Sequence, residues 1–291
     1  MGFADLSGSD DRIPVPDGEF AFTWAEFREI AALVHGEAGI VLTEGKVNLV
    51  YSRLAKRLRA IGLRSFRDYC DLLRSRGGVG ERQAMISAMT TNVTRFFREP
   101  HHFEFLRSDV LPSLIARARS GGRVRIWSAG CSSGEEPYSI ALTLLAMMPD
   151  ALSHDILILA TDIDPEMITL ARSALYSPSQ VSGIPDDLRG IALEKGKGGS
   201  DLRISECARA LIRFNELNLL GSWPMKGKFD LIFCRNVVIY FDEETQDEIW
   251  RRFAGMMPDG AYLCIGHSER IGTERQPFDL VSQTVYRRRG V

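Results

Sequence analysis

The stretch RVRIWSAGCSSGEEPYSIALTLL, residues 123–145, decides the fold. Arg123–Trp127 reads as a strand, and the segment from Pro137 to Met148 as an apolar helix. Small residues join them. A strand that passes through a small-residue loop into a helix is the opening unit of a doubly wound, mostly parallel α/β sheet of Rossmann-like type, in which ligands sit at the carboxyl ends of the strands. Gly130 and Gly134 let the loop turn tightly and bring its backbone close to a ligand. The spacing is not GxGxxG, and a glycine pair by itself also serves an unliganded turn.

Two further features bear on the ligand. Glu135 and Glu136 stand at the start of the helix, where the pyrophosphate of a dinucleotide would dock. Carboxylates there repel phosphate and suit a cation such as S-adenosylmethionine (SAM), which carries an ammonium and a sulfonium. Asp155–Thr161 reads as a second buried strand, and it ends at Asp162. An acid at that position can accept hydrogen bonds from both ribose hydroxyls, although it can equally cap the following helix.

Working outward, Pro165–Leu175 reads as a helix, Phe229–Cys234 as a strand, Glu243–Met257 as a helix and Ala261–Ile265 as a strand, with closing strands at Phe278–Val281 and Thr284–Arg287. The alternation places helices on both faces of the sheet. Residues 177–213 break it. They are rich in Ser, Gly and Lys, contain Pro178, Pro185 and the run Lys195–Gly199, and read as a small inserted subdomain.

Upstream, residues 1–20 read as a flexible tail and residues 21–88 as a small all-helical domain, leaving 89–291 to the sheet domain. Thr23-Trp24-Ala25-Glu26 fits a capping box, followed by Phe27, Ile30, Ala31 and Val34 at core spacing. A second helix is expected from Thr43 to Gly62, with Val47, Val50, Leu54, Leu58 and Ile61 as its apolar stripe. Arg53, Lys56 and Arg57, at i, i+3 and i+4, lie beside that stripe, and Arg59 lies further round. From Thr43 to Arg76 nine Lys/Arg face three Asp/Glu, a local balance of +6 in a chain of net charge −2. Such a surface is either a solvated helix face or a docking surface for an acidic partner. Residues 81–119 read as helical, interrupted by the polar segment Thr90–Arg95.

The overall balance gives no indication of nucleic acid, and no apolar run approaches the roughly 20 residues of a membrane span. The N-terminus lacks an apolar signal core, so a cytoplasmic chain is expected. Cys70, Cys131, Cys207, Cys234 and Cys264 form no CxxC pair and no His-spaced ligand set, which points to reduced thiols and to no metal.

With these residues set out, the chain resembles the bacterial chemotaxis receptor methyltransferase family, CheR. The similar stretches are TTNVTRFFREPHHF (90–103), WSAGCSSGEEPYSIAL (127–142), ATDIDPEMITLARSALY (160–176), FDLIFCRNVVIYFD (229–242) and GHSE (266–269), in the family's order. The resemblance implies a class I SAM methyltransferase that forms glutamate methyl esters on chemoreceptor cytoplasmic helices and releases S-adenosylhomocysteine. It implies that Asn92, Thr94 and Arg98 line the cofactor and methyl-transfer region, with Arg98 on the methionine carboxylate. Glu136, with Glu135 as the alternative, would contact the methionine end, Asp162 the ribose, and Asn218 and Leu219 the adenine. Arg235, Asn236 and Tyr240 would complete the site; Arg98 and Tyr240 would orient acceptor and cofactor. His101 and His102 read as structural, and His267 as a lining candidate. Arg53, Lys56, Arg57 and Arg59 would face the receptor's acidic helices. A monomer is expected. The chain differs from the family at Gly130-Cys131 and in the Gly-rich insertion, which lacks the aromatic-rich pattern of a receptor-docking subdomain.

An ionised glutamate is already a nucleophile at neutral pH, so the expected chemistry is alignment and exclusion of water without a strong general base. The competing readings are a SAM enzyme acting on a small carboxylic acid or another protein, a SAM-binding adaptor without turnover, and a dinucleotide oxidoreductase.

Overall fold

The computed structural model describes residue 13 and residues 18–195, 202–272 and 276–290. The tail expected over residues 1–20 lies outside these except at Ile13 and 18–20, as do residues 196–199 of the glycine-rich run. The chain forms two compact units, Met1–Thr90 and Thr91–Val291.

Among the described residues the first unit holds four α-helices, α1 (Trp24–Ala38), α2 (Val47–Ile61), α3 (Phe66–Arg74) and α4 (Val79–Met89). The Thr23–Glu26 capping box starts α1, satisfying amides that have no partner within the helix, and left-handed Gly39 ends it. Phe27, Ile30, Val34 and Ala38 bury its inner face. A single 3₁₀ turn, Glu44–Lys46, precedes α2, which therefore begins later than Thr43. Val50, Leu54 and Leu58 are buried, but Ile61 is 36% exposed: it is the last helical residue, and Gly62 turns the chain away immediately after it. The Phe66 ring packs on Phe22 at 4.2 Å and on Tyr51 at 5.6 Å between centroids, tying α2 and α3 to the segment before α1.

In the second unit, α5 (His101–Phe105) runs through a π-helical turn into α6 (Leu111–Arg119). There follow β1 (Val124–Ala129), α7 (Glu135–Met147), β2 (Ile156–Asp162), α8 (Pro165–Ser173), β3 (Leu175–Tyr176), α9 (Pro178–Val181), α10 (Asp186–Ala192), β4 (Leu193–Lys195), β5 (Leu202–Ile204), α11 (Glu206–Ala210), β6 (Ile212–Glu216), β7 (Leu231–Cys234), α12 (Glu243–Gly255), β8 (Tyr262–Ile265), β9 (Phe278–Ser282) and β10 (Val285–Arg288). The main sheet has the order β6-β2-β1-β7-β8-β10-β9. Its first five strands are parallel, and β10 runs antiparallel to both neighbours. The order reverses between β1 and β7, and in doubly wound sheets ligands bind in the crevice outside the strands' carboxyl ends at such a switch point. Ile126, Ile140, Leu144 and Ile158 belong to one buried cluster, and Trp127, Ile232, Trp250 and Phe253 to another.

Two expectations need correction. The helix after β2 stops at Ser173, because Ala174 takes a left-handed conformation (φ 54) and Leu175 enters a strand. The insertion ends before 212. Its strands form a separate antiparallel sheet, β3-β5-β4, whereas Ile212–Glu216 is the edge strand of the main sheet. This strand alternates, with Ile212 and Phe214 buried and Arg213 and Asn215 exposed, so it lacks the continuous apolar run expected of a central parallel strand.

Candidate functional site

At the carboxyl ends of β1, β2, β7 and β8 lie all the buried side chains of formal charge among the described residues: Glu135, Glu136, Asp162, Asp164 and Glu269 against Arg235. Charged groups are almost never buried without partners, so each contact is informative. The sequence supplies the residues one strand end at a time, and the parallel sheet brings them together.

The loop after β1 is held by Thr161, whose carbonyl accepts from Gly130 N (2.8 Å) and Cys131 N (2.9 Å). Gly130 has φ 83, and a Cβ there would lie 2.3 Å from Val237 Cγ2; at Gly134 (φ 99) it would lie 2.9 Å from the Ala171 Cβ. Both glycines are therefore required by conformation and by close approach. The turn presents Ser132 N to Asp162 Oδ2 at 2.7 Å, while Asp162 Oδ1 accepts from Asp164 N at 3.0 Å. Asp164 caps α8 through Glu166 N and accepts from Asn92 Nδ2 at 2.8 Å. Ser132 Oγ donates to the Asn92 carbonyl at 2.9 Å. Asn92, Ser132, Asp162 and Asp164 thus form one connected group. Leu217 N donates to the Asp162 carbonyl, which brings the turn after β6 alongside it.

A second group centres on Arg235. Its guanidinium lies 3.1 Å from Glu136 Oε2 and 3.2 Å from Glu99 Oε2, and it also donates to the Arg98 carbonyl. Ser128 Oγ donates to Glu136 Oε1 at 2.7 Å. Glu99 pairs with exposed His267 at 2.9 Å, and fully buried His102 shares a 2.8 Å hydrogen bond with Thr284 Oγ1. Glu99, His101 and His102 bring potential ligand atoms within 4.8 Å of one another, but the Arg235 cation beside Glu99 already supplies positive charge there. Glu135 accepts from Ser133 Oγ at 2.7 Å.

Burial pushes the carboxyl groups of Glu135, Glu136 and Asp162 above their usual range. For Glu136 it does so against Arg235 and Ser128, and for Asp162 against the backbone amides. Five buried carboxyl groups stand against one guanidinium, and a ligand bearing cationic groups and hydroxyl donors would favour their charged forms where a pyrophosphate would not.

The remaining expected residues are more dispersed. Arg98 directs Nη1 to the Val93 carbonyl at 3.0 Å, and Thr94 is half-buried. Asn236 is left-handed (φ 59), and half-buried Tyr240 ends the one-turn 3₁₀ helix Val238–Tyr240. Asn218 Oδ1 accepts from Leu220 N, and Leu219 is buried in the Trp127 cluster. On α2, Arg53 donates to the carbonyls of Ala88 and Thr90, and Arg57 makes a two-point pair with Glu81, which also accepts from Tyr69. Lys56 is exposed, and exposed Arg59 pairs with Glu19 at 2.9 Å. Ser132, Asp164, Glu99 and Glu269 lie within the family-like stretches but are not singled out by the sequence, because single polar residues in turns have no periodic signature.

The domain described as "CheR methyltransferase, SAM binding domain" matches residues 92–287, and "CheR methyltransferase, all-alpha domain" matches residues 25–90. The chain belongs to the CheR methyltransferase family. A probable chemotaxis protein methyltransferase of Rhizobium etli is 52% identical over 258 residues, spanning 88% of this chain and 96% of that protein. The chemotaxis protein methyltransferase of Escherichia coli is 42% identical and that of Salmonella typhimurium 41%, each spanning 91% of both chains. As a CheR methyltransferase the chain is a SAM-dependent enzyme, and its crevice fits that cofactor. Asp162 accepts from the backbone amides of Ser132, Asp164 and Ile163, and a carboxylate's roughly four lone-pair sites leave acceptor capacity for a ribose hydroxyl. The acidic excess at Glu135 and Glu136 fits an ammonium and a sulfonium. No described helix is long and apolar enough to cross a membrane.

Proposed function

We propose that this chain methylates glutamate side chains of chemoreceptor cytoplasmic domains, acting as a cytoplasmic monomer without a metal. The observation that carries the reading is the buried acidic crevice at the switch point, five carboxylates against one guanidinium, in a chain that matches both CheR domains. Bound SAM supplies an activated methyl group. The chain's own residues hold and align. Glu136, with Glu135 beside it, takes the cationic methionine end, Asp162 the ribose, and Asn218 and Leu219 border the adenine. Asn92 and Thr94 line the crevice from the segment before α5, and Arg235 and Asn236 close it after β7. Arg98, on the methionine carboxylate, and Tyr240 orient the acceptor carboxylate and the cofactor. That carboxylate is ionised at neutral pH, so position and dryness limit the rate. Lys56 and Arg59, with Arg53 and Arg57 behind them as fixed supports, form the surface that steers an acidic receptor helix.

The test is methyl transfer from radiolabelled SAM to receptor cytoplasmic fragments, with and without their C-terminal tails. Base-labile label on the fragments is the expected outcome. Label on a small carboxylic acid and none on the fragments would replace the substrate, and binding of SAM with no transfer to any acceptor would indicate an adaptor. Tyr240→Phe and Arg98→Ala should each slow single-turnover transfer; wild-type rates in both would remove these two residues from the reaction.

A further inference from the structure

We propose that Glu269 is a positioning residue of the methyl-transfer site: its carboxylate clasps the loop after β7 and sets the conformation in which Arg235, Asn236 and Tyr240 face the crevice. The inference rests on the SAM-site reading.

The loop leaves β7 abruptly. Asn236 is left-handed, a conformation that strains a residue other than glycine. Successive backbone amides at Asn236, Val237 and Val238 are consequently released from any strand ladder, and buried amides need acceptors. One side chain accepts all three. Glu269 Oε2 takes Asn236 N at 3.0 Å, and Oε1 takes Val237 N at 2.8 Å and Val238 N at 3.0 Å. Oε2 also accepts from Gly266 N, in the turn that carries Glu269 itself. The residue is 3% exposed. A carboxylate has four well-placed acceptor sites, and four amide donors use them.

The arrangement divides labour. Glu136 holds Arg235 by its guanidinium, and Glu269 holds the following residues by their backbone. Because amide dipoles balance Glu269, the guanidinium is left to Glu136 and Glu99. The approach is close enough that a Cβ on Gly266 would lie 2.7 Å from Asn236 N and 2.5 Å from its Nδ2. The turn after β8 and the loop after β7 are thereby fitted to each other, and Asn236 is fixed at the contact.

The discriminating variant is Glu269→Gln. It keeps shape but replaces one oxygen by an NH₂ group that opposes two amide donors. Calorimetry with S-adenosylhomocysteine reads affinity and binding-competent fraction separately, and Ile115→Ala, in a helix away from the crevice, serves as a control for lost stability. The expected result is at least a tenfold rise in Kd with stoichiometry near one, beyond any change in the control, and a slower single-turnover rate. Gly266→Ala, which displaces the turn while leaving the carboxylate, should raise Kd in the same direction; it also covers the case in which Glu269→Gln does not fold. A wild-type Kd in the folded fraction of both variants, with only stoichiometry or Tm reduced, would overturn the proposal and leave Glu269 a structural residue. Failure of the unaltered protein to bind S-adenosylhomocysteine would instead overturn the SAM-site reading.

Discussion

At the scale of single residues, Asp162 is doubly committed. Its oxygens already order the loop after β1 and the start of α8, and the proposed ribose contact adds to that. Asp162→Asn must set an NH₂ against Ser132 N or Asp164 N, leaving a buried donor unpaired at about 1–3 kcal/mol. Calorimetry should show S-adenosylhomocysteine affinity reduced roughly five- to 150-fold, with a lowered Tm. The Glu99–His102 pair makes a separate prediction about acid. Burial holds His102 down to about 3, with Arg235 and His101 adding to the effect. Folding therefore excludes a proton that the unfolded histidine accepts below about 6.5, and stability is lost as pH falls from there toward 3. Burial disfavours the Glu99 anion, yet the His267 hydrogen bond and the Arg235 guanidinium outweigh it and bring the carboxyl down to about 2. Its stabilisation is present above about 4.5 and lost as pH falls toward 2. In urea melts across pH, His102→Gln should flatten the first interval and Glu99→Gln the second; unchanged slopes would contradict these assignments.

At the scale of elements, the loop after β1 works only because its conformation is that of glycine. Gly130→Ala combines a positive φ with a 2.3 Å contact to Val237, a residue whose amide Glu269 holds. Left-handed strain and overpacking together cost on the order of 2–5 kcal/mol. A Tm lower by about 5 °C or more follows for a domain of this size, and calorimetry should show weaker cofactor binding with it. Helix α2 shows the opposite relation between charge and role. The four basic residues of this helix read alike as a docking surface, but Arg57 and Glu81 form a two-point pair backed by Tyr69, and Arg53 caps the end of α4. Arg57→Glu should lower Tm, because it sets two carboxylates together. Lys56→Glu with Arg59→Glu should leave Tm nearly unchanged and raise the KM for receptor fragments several-fold, with S-adenosylhomocysteine affinity intact.

At the scale of the whole molecule, the net charge of −2 conceals two opposite local fields. The helical unit carries the basic surface, and the sheet unit carries the buried acids. Exposed charges are screened over roughly 8–10 Å at 0.1–0.15 M salt, whereas buried groups are screened far less. Raising salt should therefore raise the receptor KM steeply and leave the cofactor Kd nearly constant. Parallel losses would show that α2 does not act by steering.

What the sequence by itself determined is everything that depends on local chemistry. The capping box at Thr23, the strands of continuous apolar residues, the glycines of the 130–134 turn and the acid that ends β2 are each dictated within a few residues of themselves. Their order along the chain was enough for the doubly wound sheet. The edge strand Ile212–Glu216 was hidden because its outer face is polar. Tertiary structure alone decided which polar residues meet. Arg235 and Glu136 are 99 positions apart, and Asn236 and Glu269 are 33 apart. Only the parallel sheet, by aligning the carboxyl ends of β1, β2, β7 and β8, brings them into hydrogen-bond distance, and only burial there makes each unpaired donor or charge costly enough to fix its partner.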